Sequence, residues 1–185
     1  MLAYVFYHWK RSDVAAVDYE QRLRDFHDAL RLAPSAGFRS SWCASLTGAP
    51  WANNSGDSYE DWYLINGSTD LEPLNDAAIS ASRQVPHDQA AASAAGGTAG
   101  LYRLKAGAAI VAPLFASWFS KPNGWSYGQL LERLQPVTDY AALWGRQMTL
   151  GPALEFCLHA NALPQMPAGI DALSIPLRSV FPESA

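Results

Sequence analysis

The side chains best suited to proton chemistry near neutral pH are the four histidines, His8, His27, His87 and His159, because imidazole changes charge there. His27 follows Phe26 on a helical stripe that would turn it toward a sheet, where it could carry protons. The plain alternative is a helix-side histidine bonded to a carbonyl or to water. His8 ends a strand on the side it shares with Tyr4 and Phe6, where a pocket acid or base would need a second polar group. Arg39, Ser41, Tyr63 and Arg103 on neighbouring strands are the candidates for that group, against a bland reading of His8 as a surface strand end. His159 lies on one strand face with Glu155 and Cys157. Glu155 could orient it, although four residues along a strand span roughly 13 Å, and a buried cysteine between polar strand edges explains the set as well. His87 and Asp88 follow Pro86, where Asp88 as a helix cap accounts for the pair.

Several chemistries find no support. Cys43 and Cys157 form neither a CxxC pair nor a disulfide framework, and His159, Cys157 and His87 have no recognised metal spacing, so no metal site is expected. The glycine-rich GGTAG at 96–100 lacks the Lys-Ser/Thr of a phosphate loop, and no GxSxG elbow is present. With 13 basic against 17 acidic residues and a net charge of −4, there is no field for a nucleic-acid backbone and no basic run for an anionic bilayer. No apolar stretch approaches the roughly 18 residues of a membrane span. The N-terminus reads as structure rather than a signal peptide, and the two thiols fit a reducing cytoplasm. Aromatic residues make up 12% of the chain. They imply either a ring-rich core or a pocket for a flat apolar molecule, with Tyr7, Trp42, Tyr63, Arg103 and His159 as candidate ligand-binding residues.

These residues must be positioned by elements that the pattern predicts. Leu2–Lys10 is apolar on both faces and reads as a central strand. A turn follows, with Ser12 or Asp13 as N-cap. The helix after it carries Tyr19, Leu23, Phe26 and Leu30 at i, i+4, i+7, i+11 and ends at Pro34 and Gly37. Strands are predicted at 38–46 and 59–66 around a turn-rich loop at 48–58. Two helical pieces follow within 71–95, broken near Val85 by Pro86. GGTAG then acts as a breaker ahead of a strand at 101–105. The order is β-α-β-β-α-β, the ferredoxin-like pattern. A reduced copy follows, with strands at 114–121, 142–150, 155–161 and 173–181 and a helix at 127–134. YGQLLERL echoes YEQRLRDF, and EFCLHANA echoes EDWYLING. Between Asn161 and Leu173 there are too few residues, with Pro164, Pro167 and Gly169 among them, for a second crossover helix. The chain therefore reads as an α+β protein of two tandem ferredoxin-like units, 1–107 and 108–185, packed through antiparallel sheets as one barrel.

The aromatic first strand ending in Lys10 and Arg11, followed by YEQRLRDFHDAL at 19–30, resembles the dimeric α+β barrel superfamily, and within it the EthD-like and antibiotic-biosynthesis-monooxygenase-like members. His27, Ala29 and Leu30 map onto the EthD-type motif. Its usual proline is absent, and Asp28 intervenes. The resemblance covers about the first third of the chain. It implies two ferredoxin-like units with sheets face to face, in a superfamily of cofactor-free oxygenases, cyclases, isomerases and haem enzymes. The expectation is a small-molecule-handling barrel, monomer or homodimer, acting on a flat apolar or aromatic compound through His8 or His27, with a Tyr or an Arg such as Arg39 holding an enolate or phenolate and no cofactor. The alternatives are a non-catalytic ligand binder and a haem-handling relative with His159 or His27 as axial ligand.

Overall fold

A strand that is apolar on both faces needs cover on both, and Leu2–Lys10 (β1) has it. β1 pairs antiparallel with β3 (Ser58–Ile65) on one edge and β4 (Ala94–Ala106) on the other, and β2 (Phe38–Leu46) pairs with β3. The computed structural model, which describes residues 1–52, 58–148 and 151–183, continues this sheet to nine strands. Besides β1–β4 these are β5 (Phe115–Phe119), β6 (Ala142–Arg146), β7 (Phe156–Ala160), β8 (Ala172–Pro176) and β9 (Arg178–Phe181), in the order β8-β5-β7-β6-β4-β1-β3-β2-β9. The two ends of the sheet, β8 and β9, are one run of chain divided at Leu177, whose N–H donates to the Leu114 carbonyl at 2.9 Å. The sheet therefore curls round on itself, and the fold is an α+β barrel.

Strand alternation sorts side chains into two compartments. Tyr7, Trp42, Trp62, Tyr102, Trp118, Trp144 and Cys157 face inward and form one buried cluster, with Trp42 and Trp62 stacked at 5.5 Å. The outer face is covered by helices α1 (Ala16–Leu32), α2 (Leu71–Ala78), α3 (Gln84–Ser93) and α4 (Tyr127–Thr138). In α1 the buried side is Tyr19, Leu23, Phe26, His27 and Leu30, the stripe that the spacing predicts. Helix α4 is fixed by a capping box, with Ser126 Oγ accepting from Gln129 N and Gln129 Oε1 from Ser126 N. It seals the outer face of the second half over Phe119, Leu143, Phe156 and Leu158. Residues 161–171, between β7 and β8, contain no helix. Among the described residues no helix is long and apolar enough to cross a membrane.

Four local expectations change. GGTAG is part of β4, not a breaker: a Cβ on Gly97 would meet the Phe6 ring at 2.4 Å and one on Gly96 the Trp9 ring at 2.7 Å, so the glycines let β4 lie under rings projecting from β1. Pro86 lies near the start of a helix instead of interrupting one. It sits in the first turn of α3, where its missing N–H has no intrahelical partner to lose, and the break falls earlier, around Ser80 and Ala81. Helix α1 starts at Ala16 without a side-chain cap, because its N-cap is Ala15 and not Ser12 or Asp13; Asp13 is held by Arg11 at 2.8 and 2.9 Å. Asp88 likewise caps nothing and bonds His87. The predicted loop at 48–58 and strand at 142–150 each lie partly outside the described residues.

Glu60 and His159 are sealed inside the barrel alongside Tyr7 and Cys157. Burial pushes the Glu60 carboxyl up to about 8, against the opposing pull of the Trp62 indole and with a further push from Asp61. His159, edge-on to Trp62 at 4.3 Å, is driven by burial down to about 3. As pH falls from 6.5 toward 3, the unfolded chain takes up a proton that the folded His159 refuses, so this residue costs stability in acid. The wild type should therefore lose stability relative to His159→Gln on acidification. Urea unfolding of both proteins near neutrality and at a pH of about 4.5 checks this, and an unchanged gap between them would contradict it.

Candidate active site

Asp61 lies on β3, on the outer side of the sheet, opposite Cys43 of β2 and Phe6 of β1. A buried carboxylate must be matched by donors, and neighbouring elements bring them. Tyr63 donates its hydroxyl to Asp61 Oδ2 at 2.9 Å. His27 Nε2 of α1 stands 3.2 Å from Oδ1, and His8 Nε2 of β1 stands 3.2 Å from Oδ2. The far ring nitrogens are also engaged, His27 Nδ1 with Ser41 Oγ at 2.7 Å and His8 Nδ1 with the Tyr19 hydroxyl at 2.6 Å. Ring stacking sets the planes: His27 lies between Tyr63 and Phe181, and His8 between Phe6 and Tyr59.

The electrostatics follow from this packing. Burial alone would raise the Asp61 carboxyl, but the imidazoles of His8 and His27 outweigh it and hold the group well below the usual carboxylate range. Burial first, then the Asp61 charge, pushes the Tyr63 and Tyr19 hydroxyls and the Cys43 thiol up, so at neutral pH all three remain protonated donors. The result is a fixed anion flanked by two imidazoles and ringed by neutral O–H and S–H groups. An arrangement of this kind offers an imidazole for proton transfer and neutral hydroxyls for hydrogen bonding.

This cluster forms the polar wall of a cleft of about 450 Å³ between the sheet and helices α1, α2 and α3. Its other walls are mostly apolar, from Tyr4, Phe6, Leu23, Phe26, Leu71 and Leu74, with Asn75 and the half-buried His87 as further polar groups. His87 rests edge-on against Phe26 at 5.4 Å. One aromatic-walled recess with a few convergent polar groups is what a flat small molecule requires.

The residues expected to act are distributed as follows. His8, His27 and Tyr63 converge on Asp61, with His8 and Tyr63 facing the cleft and His27 behind it. Tyr7, Trp42 and His159 lie on the opposite side of the sheet, inside the barrel. Arg39 is bonded to Asn66 Oδ1 and lines a separate open groove with Arg24 and Arg31. Arg103 is exposed on β4. Glu155 does not orient His159: it accepts from Tyr127 at 2.8 Å at the start of α4. For haem ligation, both His27 nitrogens are already engaged and His159 is sealed in the barrel. Sequence reasoning missed Asp61, Tyr19 and Cys43. The available signal was Glu60-Asp61, two adjacent carboxylates in an otherwise apolar strand. His8, Cys43 and Asp61 each offer a ligand atom within 4.8 Å of the others.

No family model matches the chain, and no curated protein matches it. Its fold recurs in solved structures. One is a "putative monooxygenase" from Fusobacterium nucleatum, with TM-score 0.65 and 8% identity, matching 97% of this chain and 92% of that one. An anthrone oxidase-like protein matches over 100% and 95% of the two chains, with TM-score 0.51 and 10% identity. A "putative chlorite dismutase" matches over 97% and 95%, with TM-score 0.50 and 8% identity. At these identities the likeness establishes the α+β barrel, and chemistry has to be argued from the site.

If Asp61 anchors the cluster, Asp61→Asn replaces an acceptor that serves donors from α1 and β3 with a group that is itself half donor. Each buried donor left unmatched costs about 1–3 kcal/mol. The expected loss is about 3 kcal/mol in urea unfolding at neutral pH, and a midpoint equal to the wild type's would show that the carboxylate anchors nothing.

Proposed function

We propose that this chain is a small-molecule enzyme whose cleft takes a flat apolar or aromatic compound bearing an acidic O–H or C–H, and that it works by acid–base chemistry of its own side chains. The carrying observation is the His8–Asp61 pair, 3.2 Å apart in the polar wall of an otherwise apolar cleft. In this reading His8 takes the substrate proton, Asp61 stabilises the imidazolium that results, and the Tyr19 hydroxyl, accepting from His8 Nδ1, donates to the enolate or phenolate oxygen, while Tyr63 uses its one proton to hold Asp61. His27 is a positioning residue, holding Asp61 from behind. The oxygenase, cyclase and isomerase classes share this first proton transfer, and the anthrone oxidase-like and monooxygenase neighbours make fused-ring phenols and anthrones the first compounds to test.

We further infer that the barrel arose as two ferredoxin-like units in tandem, 1–107 and 108–185. The parallel strand orders β4-β1-β3-β2 and β8-β5-β7-β6 support this, each running fourth, first, third, second in its own half. One chain then supplies both sheets of the barrel, as a monomer or homodimer. A second functional reading, a non-catalytic binder of the same compounds, is favoured by the predominance of apolar wall.

Thermal shift with fused-ring phenols and anthrones should raise the melting temperature, since ligand at 100 times its Kd adds about 2.7 kcal/mol. On any compound turned over, His8→Ala should lower kcat by about 10²- to 10⁴-fold while the ligand-induced shift persists. Unchanged turnover in His8→Ala would sink the acid–base reading, whereas binding without turnover in the wild type would establish the binder.

A further inference from the structure

Cys43 has no role in the proton transfer just described, yet it lies against its centre. It is buried on β2, directly opposite Asp61 in the β2–β3 register. His8 comes from the next strand on the far side of Asp61. Three adjacent strands thus bring a thiol, a carboxylate and an imidazole together, with one ligand atom of each within 4.8 Å of the others. A tetrahedral centre with bonds of about 2.0–2.3 Å separates its ligand atoms by about 3.3–3.8 Å. The 3.2 Å between His8 Nε2 and Asp61 Oδ2 is already close to that spacing.

A second, independent observation concerns the direction of His8. Its Nε2 is buried and, despite its distance from Asp61, makes no hydrogen bond of acceptable geometry among the described residues. Its Nδ1 is anchored 2.6 Å from the Tyr19 hydroxyl. An imidazole with one nitrogen tied to an outer partner and the other beside a carboxylate without a well-formed hydrogen bond to it is the arrangement of a histidine that could share a metal with that carboxylate. Asp61 is supported in the same manner by Tyr63 and His27.

We propose that His8 Nε2, Asp61 Oδ2 and Cys43 Sγ form a binding site for a divalent transition metal of the zinc class. The fourth coordination position would be open to the cleft, which His8 and Asp61 both line. A mixed nitrogen, oxygen and sulfur set suits zinc and cobalt, whereas magnesium and calcium require oxygen ligands. Three protein ligands with one open position is the pattern of a site that meets a small molecule. Binding displaces the Cys43 thiol proton to solvent, with no change of oxidation state. The proposal goes beyond the acid–base reading and competes with it for one atom, because a metal on Nε2 removes His8 from proton transfer.

The experiment is cobalt titration of the chelator-treated full chain, followed by absorption spectroscopy. The expected result is saturation at one Co²⁺ per chain, with visible bands of tetrahedral strength and a near-ultraviolet thiolate-to-cobalt band, both bleached by Zn²⁺. Cys43→Ser should abolish the near-ultraviolet band, and Cys43→Ala serves the same purpose if the serine variant fails to fold. Tyr19→Phe, which removes only the outer partner of His8, should weaken cobalt binding by about 10- to 100-fold. No uptake by the wild type, or the same thiolate band in a folded Cys43 variant, overturns the proposal and leaves the turnover results standing. Unchanged turnover in His8→Ala, conversely, fells the acid–base reading and leaves the wild-type cobalt spectrum untouched.

Discussion

The outer site depends on one buried charge. An ionised carboxylate taken out of water costs several kcal/mol, and Asp61 is buried with 3% of its surface exposed. It is tolerated because β3 itself, α1 and β1 each deliver a polar group to it, and those groups are in turn held by Ser41 and Tyr19. The same carboxylate that needs these partners also fixes their orientation. His27 cannot turn without abandoning Asp61 or Ser41, and that locks the register of α1 on the sheet. Stability and site geometry are here one set of contacts.

Its neighbour shows how completely the environment decides. Glu60 is adjacent in sequence and equally buried, but strand alternation points it into the barrel, where no cation meets it and its carboxyl is pushed up to about 8. Asp61 points outward to two imidazoles and is held low. Two adjacent carboxyls on one strand are thus pushed in opposite directions, Glu60 toward its neutral form and Asp61 toward its anion, by which face of the sheet each occupies. The same partition separates His159 from His8 and His27. Burial suppresses protonation in the first, whereas the other two stand beside a fixed anion.

Much of the frame was legible in the residues, and the site was legible in part. The α1 stripe, the doubly apolar β1, and the lack of a helix between β7 and β8 follow from spacing and chain length. His8 and His27 could be singled out one at a time. What joins them is a carboxylate 34 positions beyond His27, in a strand where a charged residue reads most simply as facing solvent. Only the pairing of β1, β2 and β3 reveals that the acidic position is covered on both sides. Alternation within one strand is readable, but which set faces the barrel and which the helices is fixed by closure of the sheet. For that reason Tyr63 and Trp42 looked equivalent as pocket residues, and they lie on opposite faces. Pro86 and the GGTAG glycines misled for a related reason. Their local preference is for breaking elements, and tertiary placement turned one into a helix start and let the others pass beneath aromatic rings.

Why the cleft is in the first half follows from side-chain size. The second half has two helices fewer on its outer face, and large groups compensate: Phe119, Leu134, Phe156 and Leu158 meet at α4, with Ile170 and Met166 closing in from the 161–171 segment. The first half has three helices, but α2, α3 and the start of β4 present Ala78, Ala90, Ala91 and Ala94 to the sheet. Alanine sustains a helix at little entropic cost and fills little volume, so the cover stands over the sheet without filling the space beneath it. The alanine-rich stretch after Leu71, which by itself says only that a helix forms, is therefore also what keeps room beside His8 and Asp61. Where the second half spends its outer face on packing, the first holds open a space against a charge it has already had to bury.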